Sequence, residues 1–150
     1  MVLFDSLIGN TDRHQENWGL IFRIDGTCCL TPLFDNGTSL GHERFPEHVK
    51  SWNKQRVTTY VRRGCHHLRY IRDEPKNRIK HFDFVKYIAK QQVLKNHMNA
   101  KMDSINPELL LDEISGLRDI DCDIRFTSER FEWISRLLNI RVELIKEELK

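Results

Sequence analysis

Asp12 is followed five residues later by Asn17 and, after a stretch patterned like a hairpin, by Leu33-Phe34-Asp35-Asn36-Gly37. A carboxylate, an amide and a second carboxylate in that order meet the needs of phosphoryl transfer. The attacking hydroxyl requires a base that accepts its proton, and a nucleoside triphosphate requires divalent metal bridging its oxygens. Magnesium is a hard ion that takes oxygen ligands and keeps several waters, so one amide oxygen and one carboxylate from neighbouring loops suit it. Asp12 is then the base, Asn17 and Asp35 hold Mg2+, and ATP is the phosphoryl donor. Arg13 and His14 support the loop or contact phosphate, and His14 leans to loop support because the adjacent Asp12 already supplies the base. Gly37 permits a tight backbone turn after Asp35. Taken singly, an Asp or Asn beside Gly is most often a turn or cap residue. The order and spacing of all three carry the chemistry.

Several elements must position these groups. Residues 3–8 (LFDSLI) read as the last turns of a helix, with Gly9-Asn10 as its stop signal. Residues 18–24 alternate and are rich in strand formers, Asp25-Gly26 is a hairpin turn, and residues 27–31 return as a strand closed by Pro32. Trp18 and Phe34 are expected as core residues beneath the loops. Residues 38–54 read as a loop with at most a short helix. The chain beyond is expected to be helical. Residues 81–97 carry Phe84, Val85, Ile88, Ala89 and Val93 at helical spacing; Asn106, Pro107 and Gly116 bracket a second helix; a last helix starts near Thr127 or Ser128. Its stripe is Phe131, Ile134, Leu138, Val142, Ile145 and Leu149. The fold class expected is mainly α with a small β-hairpin near the N-terminus. It forms one domain over 1–150, with catalytic and metal-binding loops in 1–41 and helices in 42–150.

Composition excludes some classes. The chain is 39% hydrophobic and 31% charged, as in ordinary globular proteins, and no apolar run approaches the ~20 residues of a membrane span. The opening MVLFDSLIGN lacks a basic region and carries Asp5 within its apolar stretch, so no signal peptide is expected and the cytoplasm is the default compartment. Cys28, Cys29, Cys65 and Cys122 have no disulfide or zinc spacing. Cys65-His66-His67 with His81 has no ligand spacing either, because adjacent residues of a strand or helix point apart. The net charge of +2 hides a basic middle: residues 42–101 hold fifteen basic and five acidic side chains, and residues 102–150 hold seven and twelve. This block either attracts an anionic partner or neutralises the acidic C-terminal third. Arg62-Arg63 and Arg69-Tyr70-Ile71-Arg72 interleave basic and aromatic residues, yet no nucleic-acid motif accompanies them and a solvated helical face is the expectation.

The stretch LFDSLIGNTDRHQENWGLI followed by LTPLFDNGTSLG resembles the C-terminal kinase domain of HipA-like serine/threonine kinases, the bacterial toxin and toxin-related kinases. The likeness is dense over residues 3–41 and thin beyond. It implies a protein-kinase-like C-terminal lobe, with Asp12 as catalytic base, Asn17 and Asp35 as magnesium ligands, a protein substrate, and a partner chain such as an antitoxin. Asp12-Arg13-His14 is also similar to the loop of phosphoinositide kinases, which keeps a non-protein substrate open. A kinase of this kind has an N-terminal lobe with a Gly-rich loop and a phosphate-binding lysine. The eleven residues before Asp12 have no room for it. The expectation is therefore a fragment, a split kinase whose N-lobe is a separate chain, or a remnant that acts as a pseudokinase or binding module.

Overall fold

The computed structural model describes residues 1–69, 71 and 77–150. Helix α1 spans Val2–Ile8 and ends where Gly9 turns left-handed at φ 71°, its N–H returning to the Asp5 carbonyl. A single 3-10 turn covers Gln15–Asn17. Strands β1 (Leu20–Phe22) and β2 (Cys28–Leu30) then pair antiparallel with Leu20 opposite Leu30. The connecting turn is built as its residues dictate: Asp25 accepts from the Thr27 N–H and hydroxyl, and Gly26 takes φ 81°. Helix α2 is the short Pro46–Val49, and α3 is Lys54–Arg62, whose cap Asn53 accepts from the Arg56 N–H.

The region expected to be wholly helical contains a second hairpin. Strands β3 (Cys65–Arg69) and β4 (Arg78–Lys80) pair antiparallel, with an irregularity between Cys65 and Arg69. The alternation that marks a strand is carried here by polar residues: His66 is buried while His67 is half-exposed, so a search for alternating apolar residues passes over it. Arg69 and Ile71 therefore do not lie on a helical face; Tyr70 and Arg72 lie outside the described residues.

The helix expected over 81–97 is two. Helix α4 is His81–Ile88 and α5 is Gln92–Asp103, separated by Gln91 in an extended conformation. The break lets α4 bury Phe82 and Val85 while α5 buries Met98 and Met102, and it leaves Val93, counted on the apolar face, 80% exposed. Helix α6 is Pro107–Ser115, capped by Asn106, and α7 is Ser128–Glu148, capped by the Thr127 side chain on the Arg130 N–H.

Helix α7 packs against each of the other six helices. Its buried face is wider than one stripe and includes Trp133, Leu137, Ile140 and Leu144 as well as the expected Ile134, Leu138, Val142 and Ile145. A wide apolar face suits a helix surrounded on several sides rather than lying on a surface. The core joins Leu7 of α1, Val57 and Val61 of α3, Phe82 and Val85 of α4, and the α5 methionines around it. Trp18 and Phe34 are not in this core; both are exposed. The architecture is mainly helical with two small antiparallel sheets. Among the described residues, no helix is long and apolar enough to cross a membrane.

Candidate active site

Two loops leave the helical body side by side, residues 9–17 after α1 and residues 31–41 after β2. Two side chains hold them together. The first is Asn10, fully buried, whose Oδ1 accepts from the Asp12 N–H at 2.8 Å and from the Thr38 hydroxyl at 2.8 Å, while its amide donates to the Asp35 carbonyl at 3.5 Å. The second is Arg13. Its guanidinium meets the Asp5 carboxylate of α1 at 2.9 Å and donates to the carbonyl of Asn17 at 3.1 Å. It also donates to the carbonyl of Phe34 and to the Asn36 side chain. One arginine thus anchors both loops to the first helix. Burial pushes the Asp5 carboxyl above its ordinary range, against the opposing pull of Arg13.

Asn17 is buried, and its amide nitrogen donates to the Asp12 carbonyl at 2.8 Å. That bond orients the side chain and leaves Oδ1 as the atom able to receive a cation. Asp35 is exposed and sits at φ 53°, a left-handed conformation that Asp tolerates better than most residues. Gly37, expected to provide the backbone freedom of this turn, is not among the residues at positive φ; the strained position is Asp35 itself. A little further on, Gly41 is at φ 66°, and a Cβ there would lie 2.5 Å from Trp133 Nε1. Only glycine lets this backbone rest on α7.

The Asp12 carboxylate is half-exposed, with Oδ1 3.2 Å from His67 Nδ1. The same Nδ1 lies 3.2 Å from Arg78 Nη2. A ring protonated on Nδ1 donates to Asp12; one protonated only on Nε2 accepts from Arg78 instead. Arg78 also binds the carbonyls of Thr11 and His66, so the β3–β4 hairpin reaches the residue preceding Asp12. His14 accepts from the Glu16 N–H through Nδ1 and places its ring edge-on to His67 at 5.8 Å. The first loop is held from a third side by His81, whose Nε2 is 2.8 Å from the Asn10 carbonyl.

Among the sequence-derived residues, the network ties Asp12, Arg13, Asn17 and the Asp35 backbone into one unit, and puts His14 at its edge. His67, Arg78 and Asn10 were absent from that set. His67 belonged to a histidine pair weighed only as a metal motif, and the two rings do point apart: His66 packs against the His81 ring at 4.4 Å, and His67 faces Asp12. Among the described residues, no group of three His, Cys, Asp or Glu side chains could hold a metal by itself. An amide and a carboxylate are a partial shell for a magnesium ion, which completes its octahedron with water and phosphate. No protein-family model, curated protein or solved structure matches this chain.

Proposed function

We propose that this chain is the catalytic and metal-binding part of an ATP- and magnesium-dependent phosphotransferase of the HipA-like kind, acting on a protein serine or threonine hydroxyl. The observation that carries the reading is the shared anchoring of the two loops by Asn10 and Arg13, because it keeps a base and a metal-ligand pair within one hydrogen-bonded network. Asn17 Oδ1 and the Asp35 carboxylate hold Mg2+, which neutralises charge on the phosphates when bound. Asp12 accepts the hydroxyl proton. Its Oδ1 faces His67, which leaves the second carboxylate oxygen for the substrate.

A nucleotide-carrying lobe from elsewhere in a longer protein, or from a partner chain, completes the enzyme. The open hairpin supports this part of the proposal: Leu20, Ile21, Phe22, Ile24 and Leu30 are all exposed, a concentration of apolar surface that a second lobe would cover.

Metal binding is tested on the chain itself. Mn2+ with ADP should broaden the NMR signals of residues near Asn17 and Asp35, and Asn17→Ala or Asp35→Ala should abolish that broadening while the chain stays folded. Broadening that survives both substitutions would remove the metal assignment. For the reaction, the chain fused to a HipA-like N-lobe should transfer phosphate to protein, with Asp12→Ala lowering the rate by about 10²–10⁴. Metal and nucleotide binding without any transfer would reduce the chain to a binding module.

A further inference from the structure

The basic middle of the chain divides in two when folded. Lys54 and Arg62 turn to α7, where they pair with Glu143, Glu147 and Glu148. Arg44, Arg56, Arg63 and Arg78 do not; they line a cleft of about 1060 Å³ bounded by the 42–44 turn, α3, the start of β3 and the first catalytic loop. Arg141 of α7 forms part of its floor, so the lining holds five arginines against one carboxylate, Glu43.

That carboxylate is already occupied. Glu43 accepts from the Tyr60 hydroxyl and lies 3.4 Å from His42 Nδ1 and 3.6 Å from Arg44 Nε. Arg141 is 4% exposed, spends one donor on the Ser6 carbonyl at 2.9 Å, and leaves Nε without a partner among the described residues. No carboxylate pairs with it there. Burial lowers the guanidinium to about 10, so it stays cationic at neutral pH. A buried charge lacking an ion partner is costly, and the chain makes room for it: a Cβ on Gly9 would come within 2.4 Å of Arg141 Nη2. Arg63 likewise has no ion pair or side-chain hydrogen bond among the described residues, and it stands at the exposed end of α3.

We propose that this cleft is a binding site for a phosphorylated side chain on a polypeptide. Five guanidiniums lining one cleft, whose one carboxylate is engaged by Tyr60, His42 and Arg44, suit the dianion of a phosphoryl group, which accepts paired N–H bonds. The cleft is much larger than a phosphate ion and therefore fits one carried on a larger body. The aromatic walls select the carrier. Arg56 lies over the Trp52 ring at 4.4 Å and Arg44 over the Tyr60 ring at 5.3 Å, so these rings are engaged by cations and are poorly placed to stack on a nucleotide base. Arg78 joins the cleft to the catalytic loop through the Thr11 carbonyl. The docked group would thus lie next to the segment that carries Asp12.

The test needs neither metal nor a phosphoryl donor, so its outcome is independent of the phosphotransfer reading. The purified chain is titrated calorimetrically with a degenerate phosphoserine peptide pool, with the unphosphorylated pool, with AMP and with inorganic phosphate. The phosphorylated pool should bind about tenfold or more tighter than the unphosphorylated pool. Arg56→Ala and Arg63→Ala, both exposed positions that leave the core untouched, should each weaken it about threefold or more. Lys54→Ala, whose ammonium pairs with Glu143 outside the cleft, should change nothing. Equal affinity for the two pools would overturn the proposal, as would a preference that survives the Arg56→Ala/Arg63→Ala double substitution. AMP binding as tightly as the phosphopeptides, with the same variants abolishing it, would replace the polypeptide by a nucleotide.

Discussion

Arg13 spends its donors on four different partners, the carboxylate of Asp5, the carbonyls of Asn17 and Phe34, and the Asn36 side chain. Both members of the Asp5–Arg13 pair are almost fully buried. Removing one partner of such a pair leaves an uncompensated charge inside the protein, which costs about 3–5 kcal/mol. Arg13→Leu should therefore destabilise the chain by that amount in urea melts and should disorder both loops together, with Mn2+ broadening lost around Asn17 and Asp35 alike. The double substitution Asp5→Leu/Arg13→Leu removes the stranded charge as well. It should recover a large part of the stability without restoring metal binding. Equal stability of wild type and Arg13→Leu would show that the pair contributes nothing to the fold.

At the scale of elements, helices α6 and α7 show how far a periodic pattern can mislead about burial. Both have proper caps and apolar stripes. Helix α7 lies at the centre and buries Leu137 fully, whereas α6 buries no residue and leaves Leu109 62% exposed. Leu137→Ala removes transfer energy and opens a cavity in a surrounded position, so it should cost about 2–5 kcal/mol. Leu109→Ala should stay within about 0.5 kcal/mol. Thermal melts of the two variants compare them directly, and similar losses would contradict the central position of α7. The hairpins differ in the same way. The β1–β2 hairpin is open to solvent at nearly every apolar residue, while β3–β4 is held to the body through buried His66 and Ile79.

For the whole molecule, the buried histidines set an acid limit. Burial lowers His66 to about 4, with the positive charges of Arg141 and Arg78 acting in the same direction. Burial lowers His81 further still, helped by His66. The Asn10 carbonyl at His81 Nε2 favours the protonated ring, but burial and the neighbouring positive charges outweigh it. The unfolded chain takes up these protons near pH 6.5 and the folded chain does not. The stability contributed by neutral His66 is thus complete above about pH 6.5 and is lost as pH falls towards 4, on the order of 3 kcal/mol across the window. Urea melts at pH 7.5, 5.5 and 4.5 should show falling stability, and a His66→Gln variant should show a shallower fall. A wild-type profile flat between pH 7.5 and 4.5 would refute the account.

The local grammar of the chain was legible without coordinates. Gly9 as helix stop, Asp25-Gly26 as hairpin turn, Asn106 and Thr127 as caps, and the apolar stripe of α7 each follow from bonds and angles within a few residues. The order Asp12, Asn17, Asp35 was likewise visible as a chemical pattern. Other features depend on residues distant in sequence. Whether the period-3.6 pattern over 81–97 made one helix or two was decided by the need of α4 and α5 to reach α7 separately. The strand at His66 was hidden because its inward residue is an imidazole satisfied by distant partners rather than an apolar side chain. His67 gains its position against Asp12 from a hairpin that lies fifty-five residues further along the chain. Charge followed the same division: the sequence determined how much positive charge the middle third carries, and only packing against α7 decided which arginines were neutralised and which were left facing a cleft. Hydrogen bonds and dihedral preferences act over one or two turns of chain and are written locally, whereas burial and ion pairing depend on what the rest of the fold brings alongside.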